Sequence, residues 1–277
     1  MQSTEPSKPL FGADNNALVA LVSVNLMIAV TYGMTRMVYY LEGFPMSQFY
    51  DEVVHHFMLS PYYQEALEKP WTFFIYNWSH DHFWTLCGNM IWLTVFGNIL
   101  QNQKANKHLF PIYVYSGILG ALAFIALGAG ISFMGAELSI MAIATAALSL
   151  NPRYQLQLNG TGGIPVWLIF TVYFILQLAT HATGTPVFFL TLNVGGLVGV
   201  LYMYLLKKNI DLGNWMHVLV KKCNGFSIDN IHIVLTVESI KLIKHLTDKP
   251  YTSIFIPSFG LLREWFTCKK RIMYDGC

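Results

Sequence analysis

One carboxylate, Glu137, stands alone inside a long apolar stretch, and no other residue of this sequence carries as much chemical consequence. An ionised carboxylate in hydrocarbon is expensive, so such a residue normally faces the interior of a helix bundle and finds a partner there. In its neutral form it can donate a hydrogen bond, and Asn193 and Asn89 are the natural acceptors. Acid/base chemistry of the aspartic type needs two carboxylates sharing a site. The nearest second acid is Asp81, at the entrance to a neighbouring apolar stretch. A proton pathway would need further ionisable groups too. A hydroxyl nucleophile needs a base to take its proton. Ser139 lies two residues beyond Glu137, about 200° away around a helix, and His181 falls in a connection between apolar stretches. His55 and His56 offer two metal ligands, but nothing nearby completes a set, so neither metal nor cofactor is expected.

The elements that must position these residues are membrane helices. Apolar residues make up 54% of the 277 positions and charged residues 12%, about half the share usual in soluble domains. Lys and Arg between residues 16 and 206 are only Arg36, Lys69, Lys104, Lys107 and Arg153, whereas eleven lie from Lys207 onward. A basic tail on a nearly uncharged body argues for a membrane domain and against nucleic-acid binding. Residues 1–15 are a polar lead, expected to be a cytoplasmic segment and not a secretory signal. Cys87, Cys223, Cys268 and Cys277 show no metal spacing, and a reduced compartment without structural disulfides is expected.

A helix needs about twenty apolar residues to cross the hydrocarbon core. Six stretches qualify: Asn15 to Thr35 (continuing to Leu41), His82 to Gln103, Leu109 to Gly128, Ile131 to Leu150, Val166 to Thr180 and Phe188 to Leu206. Thr183-Gly184-Thr185-Pro186 separates the last two. The membrane domain is therefore expected over residues 16–206, with an aromatic, interfacial loop at 42–71 and a tail at 207–277. Basic residues in the short loops at Lys104/Lys107 and Arg153, against uncharged loops near Ala129 and Thr183, place both termini in the cytoplasm. In the tail, Ile228 to Leu246 carries one apolar helical face, with a β-rich reading left open.

Four features in order along the chain resemble the core of rhomboid intramembrane proteases. They are Pro70-Trp71-Thr72, His80-(x)8-Asn89-Met90, Gly135-Ala136-Glu137-Leu138-Ser139, and Asn193-Val194-Gly195-Gly196. The likeness covers about residues 16–215 and includes Asp211-Leu212-Gly213-Asn214-Trp215. It implies an all-α fold, a bundle of six transmembrane helices with a cytoplasmic C-terminal tail. Trp-Thr occurs in some bacterial members, which implies a bacterial inner membrane. The resemblance also implies that Glu137 occupies the position of the nucleophilic serine and Asn193 that of the histidine base. Asn89 matches an oxyanion-site asparagine, Thr85 stands where the family has a histidine there, and His80 matches a further histidine upstream. A carboxylate is a poor acylating nucleophile, and an amide cannot serve as a base near neutral pH. Gly135, Gly195, Gly196 and Gly199 read as small residues that let helices approach closely.

The expectation is a catalytically inactive rhomboid homologue in the lipid bilayer, binding transmembrane segments or membrane protein partners. An active serine endopeptidase with an atypical site and a scaffold subunit of a membrane complex are the alternatives. Client, oligomeric state and the role of the tail are not encoded in any motif.

Overall fold

The computed structural model describes residues 17–103, 105–128, 130–156, 163–181 and 186–216. The N-terminal segment, Lys104, Ala129, Thr183 and the tail beyond Met216, with its expected helix and three cysteines, lie outside the described residues. The chain divides into two compact units, Met1–Val220 and Lys221–Cys277.

Helices dominate the first unit because a backbone surrounded by lipid must satisfy its polar groups internally. They run α1 (Ala17–Leu41), α2 (Met46–Glu52), α3 (Tyr63–Glu68), α4 (Thr72–Ile75), α5 (Phe83–Asn102), α6 (Leu109–Leu127), α7 (Glu137–Leu150), α8 (Val166–His181) and α9 (Pro186–Lys207). Among the described residues, α1, α5, α6 with the turn before it, and α9 are long and apolar enough to cross a membrane. The apolar helices α7 and α8 are shorter, at 14 and 16 residues. The loop at 42–71 folds into the short helices α2 and α3, and α4 follows directly after it.

One expectation is corrected. The fourth apolar stretch is not helical from Ile131; its first residues run extended, and Phe133 exchanges backbone hydrogen bonds of 2.8 and 3.0 Å with Leu59 of the first loop. Gly135 N–H then donates to Tyr76 O at 3.1 Å, so helix starts only at Glu137. Non-helical backbone of this kind is tolerated at depth where protein encloses it. The fold is mostly helical, with Gln155–Leu156 and Ile164–Pro165 adding a two-residue antiparallel ladder between α7 and α8.

α7 is the central helix, buried from Glu137 through Ala144 and packed on α5, α6, α8 and α9. Its closest neighbour is α9, and glycine makes that approach possible. A Cβ on Gly195 would lie 2.7 Å from Leu138 O, and one on Gly199 would collide with Ala142 O. Thr145 Oγ1 takes advantage of the contact by donating to Gly196 O across the helices at 2.7 Å. Lipid gives helices no hydrophobic reason to associate, so close packing and such hydrogen bonds must hold them. α8 is the peripheral member, with only Val166 and Tyr173 buried.

Candidate functional site

Glu137 opens α7, where free N–H groups at a helix start favour a carboxyl, and its carboxyl takes a hydrogen bond from its own backbone N–H. The side chain folds back over Gly135: a Cβ there would lie 2.8 Å from Glu137 Cδ. Gly135 thus supplies the space in which the carboxyl sits. The residue is buried, and Oε2 has no hydrogen-bond partner in the protein.

Asn89 approaches this carboxyl from α5 as a hydrogen-bonding side chain. Its Nδ2 nonetheless completes no hydrogen bond and is buried. Tyr76, Tyr113 and Tyr173 stand within electrostatic reach of Glu137, as does Asp81. Asn193 does not join the group through a hydrogen bond. It sits two turns into α9, a turn deeper than the sequence suggests, and its Nδ2 donates to Phe189 O of its own helix at 2.7 Å. Thr85 is half-buried in the first turn of α5. His80 is buried ahead of α5, with both ring nitrogens unpartnered, and burial pushes its imidazole down to about 4.

Ser139 faces the other way. Its Oγ lies 2.7 Å from Tyr113 O, 2.9 Å from Asn77 Oδ1 and 3.2 Å from Ser116 Oγ, in a buried polar network toward α6. Tyr113 Oη donates to Asn77 O at 2.7 Å, and Tyr76 Oη to Gly117 O at 2.7 Å, extending the network. Sequence reasoning did not single out Asn25, Asn77, Tyr113 or Ser116. The available signal was a polar residue, such as Asn25, inside an uncharged stretch. His181 is the last residue of α8, not part of a loop, and its ring lies 4.6 Å from that of Phe188. Among the described residues no three His, Cys, Asp or Glu side chains gather as metal ligands. His55 and His56 form a turn whose backbone serves another purpose, His56 O accepting from Trp71 Nε1 at 3.1 Å.

The lateral boundary of the site lies between α5 and α8. Asn89, Trp92 and Phe96 share one face of α5 by their spacing of three and four. The Tyr173 ring centroid lies 5.0 Å from that of Trp92 and 5.3 Å from that of Phe96. On its other side α8 meets α9 through Phe174 and Phe189, with centroids 5.6 Å apart.

Among the described residues, Ser139 is held by carbonyl, amide and hydroxyl groups, and no salt bridge reaches the Glu137 carboxyl. The arrangement offers instead buried hydrogen-bonding groups behind an aromatic contact. The family model described as Rhomboid domain matches residues 67–209, from the end of the first loop to just past α9. No curated protein matches the chain.

Proposed function

Because the chain belongs to the rhomboid family, we propose that it is a catalytically inactive member that receives transmembrane segments of partner proteins between α5 and α8. The observation that carries this reading is Ser139 held in the α6 network; by the resemblance, Glu137 and Asn193 occupy the positions where the family has nucleophile and base. The groove is favoured because α8 has few buried residues and touches α5 through the Tyr173 ring. α8 can therefore move aside with little loss of packing. In this reading α7 and α8 also traverse the bilayer beside the four longer helices, making six spans. Both ends lie in the cytoplasm of a bacterial cell, and residues 207–277 form a basic cytoplasmic tail.

A photo-crosslinking residue at Trp92 or Phe174 should capture a partner's transmembrane segment in native membranes. Crosslinks arising only from the 253–271 part of the tail would reduce the bundle to an anchor, the scaffold reading. Cleavage of a model transmembrane substrate by the purified protein would overturn inactivity.

A further inference from the structure

The buried polar groups left unpartnered around the site have a particular composition. Glu137 Oε2, Asn89 Nδ2 and Tyr173 Oη are each buried and complete no hydrogen bond in the protein, although Asn89 stands beside the Glu137 carboxyl and Gln177 of α8 beside the Tyr173 hydroxyl. They come from α7, α5 and α8; Asn89 acts on the Glu137 carboxyl, and that carboxyl acts on the Tyr173 phenol. Among the described residues the other buried side-chain atoms without a partner belong to Trp78 and His80, ahead of α5, and Gln103, at its far end, whereas Ser116, Ser139 and Thr145 are hydrogen-bonded. Leaving donor and acceptor unpaired together in a dry interior is costly, so this set is arranged for something that completes it.

The chemistry of the set selects the occupant. An amide nitrogen only donates, an ionised carboxylate oxygen only accepts, and a phenol does either. A Lys or Arg side chain would answer Glu137 but present more donors to Asn89 Nδ2. A carboxylate would answer Asn89 but repel Glu137. A carboxamide carries N–H donors and a carbonyl acceptor on adjacent atoms, and answers both whether or not Glu137 is ionised. Within the membrane, Asn and Gln are among the residues that hydrogen-bond between helices.

We infer that the space bounded by α5, α7 and α8 takes the side-chain carboxamide of an Asn or Gln carried by a transmembrane helix. This rests on the reading that such helices enter between α5 and α8. Tyr173 then has two parts: its ring fills the groove against Trp92, and its hydroxyl joins the site that the incoming helix reaches when the ring swings out.

The test uses the full chain, unaltered, in bicelles. Synthetic Leu/Ala transmembrane peptides carry a photoreactive leucine and differ at one central position, Gln, Leu or Lys. Capture of the Gln peptide should exceed that of the Leu peptide about fivefold, with the Lys peptide no better than Leu. The preference should vanish in Glu137→Leu and in Asn89→Leu, two variants made separately so that one folding failure does not end the test. Equal capture of Gln and Leu peptides overturns the carboxamide site while leaving helix binding intact. Capture of no peptide overturns helix binding itself. Stronger capture of the Lys peptide marks a cation site and overturns the proposal, as does a Gln preference that survives both variants.

Discussion

Ser139 Oγ and Tyr113 O lie 2.7 Å apart across the α6–α7 interface, so the serine of the Glu-Leu-Ser sequence is a structural hydrogen-bond donor. Its proton goes to a backbone carbonyl, and a carbonyl cannot remove it. Activation of a hydroxyl requires a base in hydrogen-bond reach, and none of the groups around Ser139 is one.

The protein should therefore not react with fluorophosphonate probes or cleave rhomboid substrates. Ser139→Ala should cost about 1–3 kcal/mol of stability by stranding buried acceptors, readable as a lowered melting temperature in detergent. Labelling that disappears in Ser139→Ala would show the serine to be the nucleophile after all. Glu137→Ser combined with Asn193→His is expected to remain inactive, because Thr85 still stands where the family has a second oxyanion donor.

What the sequence shows of this fold depends on which forces are local. Uncharged runs locate α5, α6, α8 and α9 closely, since a membrane helix is set by composition over one continuous stretch. The start of α7 was not legible, because Ile131 and Phe133 are as apolar as any helix former. It is the distant Leu59, pairing with Phe133, that draws this segment out of the helix. Glu137 was legible as an isolated charge, and Ser139 as a residue on another face, from helix geometry alone. The unpartnered state of Asn89 Nδ2 and the engagement of Asn193 with Phe189 O were not legible, because both depend on rotamers and on three-dimensional neighbours.

Glycine at the α7–α9 contact makes a sharp stability prediction. A Cβ on Gly199 would meet Ala142 O and approach Thr145 Oγ1 to 2.6 Å. Backbone cannot yield as a side chain can, so Gly199→Ala should destabilise by about 1–3 kcal/mol. Gly88→Ala on α5 is the control, since nothing lies within 4 Å of its added methyl. Equal melting temperatures for the two variants would mean that α7 and α9 do not pack this closely.

Topology is tested by single cysteines at Gln64, between α2 and α4, and at Lys208, after α9. The positions should react from opposite sides of the membrane, Gln64 from outside and Lys208 from the cytoplasm, and a third cysteine at Arg153, between α7 and α8, should react from the cytoplasm if α7 and α8 both cross. Labelling of Gln64 and Lys208 from one side would leave an even number of crossings between them and sink the six-span arrangement.

His80 gives the pH dependence its sign. Burial alone holds the folded imidazole down to about 4, against an ordinary value of 6.5. Between these values the unfolded chain binds a proton that the folded chain refuses. Unfolding therefore takes up protons across this window, and stability falls as the pH is lowered from about 6.5 toward 4. The whole effect is on the order of 3 kcal/mol, the free energy of a shift of this size. Above about pH 6.5 the imidazole is neutral in both states and adds no slope. His80→Phe keeps a ring of similar shape and removes both unpartnered nitrogens. Its unfolding midpoint in detergent should change much less over pH 4.5–6.5 than that of the unaltered protein, and at pH 7 it should be no less stable. A slope unchanged by the substitution would assign the acid sensitivity to another group. A large loss of stability at pH 7 would instead show that the imidazole makes a polar contact worth more than its burial costs.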